Sequence, residues 1–188
     1  MTDFRSAGSI GARIQAARKA RGLSARELAV AIGGNPSQST IENIELGRKA
    51  AIDVVQLLNI AMAVRVPLSY LLAPLGAPDD ALDLQGLSGA FDGMTVAEFD
   101  GWLASVPNGA HIPTSLDERN AISELQALRE WKSRTTDAKR LEAALELEQT
   151  STASIEGTYL RSTEDRLNEA KREADRLANF LRTAGWEI

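Results

Sequence analysis

The sequence predicts an all-α protein in three parts. These are an N-terminal five-helix domain over residues 1–76, an acidic linker with one short helix over 77–114, and long C-terminal helices over 115–188. Three observations lead there. Glycine and proline cut the first part into short runs with apolar residues at helical spacing. The last part carries apolar residues every seven positions. The charge divides along the same lines: residues 1–76 hold nine Lys/Arg against five Asp/Glu, residues 77–113 hold six acids and no Lys or Arg, and the remainder holds twelve bases against fifteen acids. The chain as a whole, 188 residues at net −5, is acidic, so only its basic head is suited to attract phosphate.

In the head, Ile10, Ile14 and Ala17 give helix 1 (about 10–20) its apolar face, and Gly22 ends the run. Ser24 and Glu27 have the spacing of a capping box, in which each side chain satisfies an amide near the other. That starts helix 2, with Leu28 and Ile32 inward and Gly33-Gly34 closing it. Helix 3 is read over 36–46, with Asn35 as N-cap, Pro36 in the first position, Gln38 in the third, Ile41 and Ile44 inward and Gly47 as the stop. Helix 4 covers about 52–64, and Pro67 opens a last turn through Leu72.

In the middle segment, Thr95 and Glu98 form a second capping box ahead of Phe99, Trp102 and Leu103. In the last segment one seam runs through Leu160, Leu167, Ala174 and Leu181, with Thr163, Ala170, Leu177 and Ala184 three positions later. An upstream seam runs through Trp131, Ala138, Leu145, Thr152 and Tyr159, joined by Leu141 and Ile155. The two are out of phase by one residue around the helix-poor stretch 151–157, so either a helical hairpin turns there or one long helix carries a discontinuity. The hairpin is the preferred of the two. Leu160, Leu167, Leu177 and Leu181 are the candidates for oligomerisation into a homodimer or higher homo-oligomer.

A helix that reads DNA needs polar side chains outward and apolar ones holding it down. Helix 3 offers Ser37, Gln38, Ser39, Glu42 and Asn43 as candidates for base contact. Amide side chains can pair bidentately with adenine in the major groove. Arg13, Arg26, Arg48 and Lys49 are the candidates for phosphate contact. The run from Ile10 to Ser24, then Glu27-Leu28-Ala29, then Ser39 to Arg48, resembles the Cro/C1-type (XRE) helix-turn-helix family of phage repressors over about residues 9–73. The resemblance implies that Gln38, Ser39 and Asn43 contact bases and that Arg18 and Glu45 form an internal pair locking helix 1 to helix 3. It also exposes two departures. Ala25 stands where the family has a glutamine that touches phosphate, and the turn before helix 3 is about two residues longer. Gln38 is left with a choice between capping its own helix with Asn35 and reading a base.

No cysteine is present, which excludes disulfides, a thiol nucleophile and a Cys-based zinc site and suits a reducing cytoplasm, here that of a bacterial host. His111 stands alone, Asp79, Asp80 and Asp83 read as solvated linker charge, and Gly8 to Gly11 lacks the pattern of a phosphate loop. No cofactor, metal, small-molecule ligand, membrane segment, leader or enzymatic activity is expected. The composition together with the phage-like head points to an immunity repressor of a temperate actinobacterial phage. The other class is an antitoxin or regulatory adaptor whose C-terminal helices bind a protein partner.

Overall fold

The computed structural model describes residues 8–49, 51–106, 109–150 and 157–188, the side chains of 148–150 and 157–162 excepted. Among these residues the secondary structure is helical apart from one antiparallel bridge between Ala81 and Thr95. The chain forms two compact units, Met1–Ala104 with Asn108–Ile112, and Ser105–Pro107 with Pro113–Ile188.

The first unit begins with five helices: α1 Ile10–Ala20, α2 Ala25–Ile32, α3 Gln38–Glu45, α4 Val54–Val64 and α5 Leu68–Leu72. Their inward stripes meet in one core in which Ile14, Leu28, Ile41, Ile60, Val64 and Leu71 are wholly buried. Each such side chain stabilises the fold by roughly 1.5–3 kcal/mol relative to exposure. The Ser24–Glu27 capping box forms in full at the start of α2. Gly47 adopts φ +66 just past α3, and the amides of Gly47 and Arg48 return to the carbonyls of Ile44 and Asn43. That pattern closes the helix with two of its orphan carbonyls satisfied.

Two helix starts differ from expectation. Helix α3 begins at Gln38 with Ser37 as its N-cap, the hydroxyl accepting from Thr40 N at 3.3 Å. Asn35 does not cap it, because its side-chain oxygen accepts from Gln56 of α4 instead. Pro36 is buried ahead of the helix rather than inside it. Helix α4 starts at Val54, two residues later than expected, because Asp53 caps the amides of Val55 and Gln56.

Residues 77–104 are not a linker. Ala73, Val96 and Phe99 are buried in a second small core with Leu75, Leu82, Leu84, Phe91 and Met94 packed against them. The Thr95–Glu98 capping box starts α6, Val96–Ala104. Trp102 meets Phe91 edge-on at 5.3 Å. Charge alone suggests a solvated stretch here; its alternating leucines and aromatics supply enough apolar surface to fold it.

The second unit holds α7, Leu116–Thr150, and α8, Gly157–Thr183, packed antiparallel as the preferred hairpin reading expected. The register is fixed by Trp186 Nε1 donating to Glu124 at 2.9 Å and by Lys171 pairing with Glu142 at 2.6 Å. Leu145 and Leu167 share one buried cluster with Ala138 and Ala170, and Ala127, Leu177 and Leu181 share another. The seam leucines Leu167, Leu177 and Leu181 are therefore occupied by α7 of their own chain, which removes them as an open oligomerisation surface. The side chain of Leu160 and residues 152 and 155 lie outside the described residues, as does the side chain of Tyr159.

Candidate nucleic-acid interface

Three contacts fix the placement of α3 on α1. The first is steric: a Cβ on Gly11 would lie 2.1 Å from the carbonyl oxygen of Ile44, so the α1 backbone approaches α3 as closely as glycine alone permits. The second is electrostatic. Arg18 Nε donates to Glu45 Oε1 at 2.6 Å and its Nη2 to Oε2 at 2.7 Å, a bidentate pair between nearly buried groups. The hydrogen bond to Glu45 holds the guanidinium above its ordinary pKa despite burial, so this charge persists at every relevant pH. Gln15 adds a 3.3 Å bond to Glu45, and Arg18 Nη1 donates to Leu23 O at 2.6 Å. The third is apolar, with Ile41 and Ile44 seated in the core.

With that side locked, Gln38, Ser39, Glu42 and Asn43 are all exposed on the other. Gln38 Nε2 donates to Glu42 Oε1 at 2.8 Å, one turn on. The capping box between Asn35 and Gln38 does not form, so the glutamine's alternative partner is a carboxylate on the same outward face. The Asn43 side chain makes no hydrogen bond to another described residue and presents a free amide. Ser37 is committed to its helix as N-cap, with Ser39 Oγ 3.1 Å and Thr40 Oγ1 3.0 Å from its hydroxyl.

The basic candidates separate by burial. Arg26 and Arg48 are exposed, without an ion pair to any described residue. Lys49 is half-buried and donates to Gln56. Because Gln56 also donates to Asn35, one α4 side chain ties together the segments before and after α3, a role that no local pattern in the sequence signals. Arg13 departs altogether from phosphate contact. Its side chain is fully buried, with Nε on Leu71 O at 2.9 Å, Nη2 on Leu72 O at 2.7 Å and Nη1 on Asp83 at 2.9 Å. It satisfies carbonyls left open at the end of α5, where a cation is favoured.

Residues 14–71 match a family model described as helix-turn-helix. The head carries a helix-turn-helix domain. No curated protein and no solved structure matches the chain. The helix-turn-helix domain is the DNA-binding module of a transcription regulator, and α3 stands in the position of its second, DNA-reading helix. Among the described residues no group of three His, Asp or Glu could hold a metal, and no helix is long and apolar enough to cross a membrane.

Proposed function

We propose that the chain is a sequence-specific transcriptional repressor that lays α3 in the major groove and blocks promoter access. The observation that carries this reading is the division of α3 into a locked face, held by Gly11, Arg18 and the core, and a polar face exposed along its length. Gln38, Ser39, Glu42 and Asn43 face the bases, Ser37 fixes the helix start, and Arg26, Arg48 and Lys49 hold phosphates. The resemblance of the head to phage repressors supports an immunity-repressor role in the bacterial cytoplasm, and an integrase gene beside this one would support it further. Gln38→Ala combined with Asn43→Ala tests the reading helix. Specific binding should fall towards the nonspecific level while salt-sensitive binding persists; an unaltered sequence preference on a randomised DNA library would remove α3 from that role.

The burial of Leu167, Leu177 and Leu181 within the chain's own hairpin favours keeping a second reading, an antitoxin or regulatory adaptor. There the hairpin binds a protein partner and DNA binding is secondary. If the chain works as a homodimer, deletion of 115–188 lowers both operator affinity and mass per particle in light scattering. Under the adaptor reading, head affinity and oligomeric state survive the deletion.

A further inference from the structure

Helix α7 is segregated in charge over part of its length. From Gln126 to Ala143 its exposed charged residues are Arg129, Lys132, Arg134, Lys139 and Arg140, all cations; the other exposed residues are Gln, Ser, Thr and Ala. The three acids of this stretch, Glu130, Asp137 and Glu142, are half-buried on the flanks of the α8 contact. Each has a partner: Arg134 at 3.5 Å, Arg140 at 3.7 Å and Lys171 at 2.6 Å. Helix α8 has no such segregation, since its exposed charges mix Glu164, Asp165 and Glu169 with Arg166, Lys171 and Arg172. The stretch is net +2 in a chain of net −5, and its acids lie on the flanks of the α8 contact.

Arg129, Lys132, Lys139 and Arg140 follow the spacing of one helix face, opposite the Ala127–Ala138–Leu145 side that packs on α8. Their backbone positions span about 16 Å along the helix axis. Each strand of a DNA duplex presents a negative charge for roughly every 3.4 Å of the duplex axis, so such a stripe laid along one strand meets a few phosphates. None of the four is consumed by its neighbours. Arg129 gives one N–H to Ser105 O at 3.2 Å, and Arg140 keeps its side chain 77% exposed beside Asp137. Arg134 falls off this face towards the α8 side, and the groove shared with α8 is lined by it together with Arg140, at the edge of the stripe.

We infer that this face of α7 is a second, sequence-independent DNA contact, binding the phosphate backbone of the duplex whose bases the head reads. The inference rests on the DNA-binding reading of the head. Charge complementarity names the occupant: a polyanion of regular spacing that the same chain already engages. The contact adds affinity and salt dependence without adding sequence information.

The test uses the full chain carrying Arg129→Gln, Lys132→Gln, Lys139→Gln and Arg140→Gln together, with helicity checked by circular dichroism. Binding to a 40-bp duplex is followed by fluorescence anisotropy across a potassium chloride series. The slope of log affinity against log salt should flatten by about 0.9 for each phosphate no longer neutralised, while the preference for specific over random sequence stays the same. Arg129→Lys with Arg140→Lys should retain the original slope. Should the fourfold change lower helicity, the pairs Arg129→Gln/Lys132→Gln and Lys139→Gln/Arg140→Gln each carry part of the effect. An unchanged slope in helical variants overturns the inference and leaves the head's reading intact, and loss of binding only to an acidic protein partner overturns it equally. A wild-type chain that binds no duplex at all instead brings down the DNA-binding reading itself.

Discussion

Arg13 and Asp83, seventy residues apart, form a two-pronged ion pair in which the guanidinium is wholly buried and the carboxylate about a quarter exposed. The same guanidinium holds the carbonyls of Leu71 and Leu72, so one side chain joins α1, the end of α5 and the acidic segment. Removing one partner of such a pair costs far more than the pair contributes net, because what remains is buried and unmatched. Arg13→Ala should therefore lower unfolding free energy by about 3 kcal/mol, read as a shift in urea midpoint. Lysine should not rescue it, since an ammonium cannot serve two carbonyls and a carboxylate in one plane. Asp83→Asn should cost less, as that end is partly solvated. If Arg13→Ala left stability intact and only weakened DNA binding, the phosphate role would be restored.

Gly11→Ala tests the close approach of α1 to α3. Alanine is the better helix former by about 1 kcal/mol, which alone would stabilise an exposed site. Here the added methyl would lie 2.1 Å from Ile44 O, a backbone atom that cannot move without moving α3. Overpacking of this kind typically costs about 1–3 kcal/mol, so the net effect should be destabilising. Because the displaced element is the proposed reading helix, DNA affinity should fall further than stability alone explains. Titration of the folded variant, at a temperature well below its midpoint, separates the two effects.

Local chemistry was legible where one side chain acts on its near neighbours. The Ser24–Glu27 and Thr95–Glu98 boxes, the α1 bounds and the Gly47 stop all follow from interactions within a few residues. The phase break between the heptad seams likewise pointed to the hairpin. What eluded the sequence were partners chosen at long range. Asn35 has the chemistry of an N-cap but is claimed by Gln56, twenty-one residues on, and Arg13 has the charge of a phosphate contact but is claimed by α5 and Asp83. A charge census cannot separate buried from exposed arginines, and the close approach that needs glycine at position 11 shows only once α3 is placed against α1.

Leu177→Ala and Leu181→Ala distinguish intrachain from interchain packing. Both leucines are buried against α7, Leu181 completely. Each truncation should destabilise the hairpin by about 2–5 kcal/mol, seen as reduced ellipticity at 222 nm on mild heating. The mass in solution should stay as in the wild type. A drop to half the mass with the helices intact would return these residues to an oligomer interface.

Two caps make the fold sensitive to acid. Backbone and side-chain hydrogen bonds from Ser24 hold the Glu27 carboxyl below its ordinary value of 4.5, and those from Thr95 do the same for Glu98. A carboxylate with a lowered folded-state pKa contributes stability that is present above pH 4.5 and lost as the pH falls through the lowered value. Melting temperature should therefore fall on acidification from pH 5 to 3. Glu27→Gln with Glu98→Gln, which keeps an acceptor but cannot titrate, should flatten that fall. An equally steep acid limb in the double variant would place the sensitivity elsewhere.

The 2.8 Å bond from Gln38 to Glu42 decides how the reading face starts out. In this arrangement the amide donor is engaged before DNA arrives, and a carboxylate stands beside it where phosphate and base acceptors would approach. On the proposed reading of α3, Glu42 would accept from a cytosine amino group and repel other edges, and so act by selection. Glu42→Ala removes the repulsion and frees Gln38 to pair with adenine. Affinity for random duplex should rise severalfold and discrimination should narrow, by up to the roughly 1–3 kcal/mol that one good base contact supplies. Selection from a randomised library, run on wild type and variant at one salt concentration, reads both changes. A variant with unchanged preferences would mean that Glu42 lies clear of the bases and that its bond to Gln38 serves the helix alone.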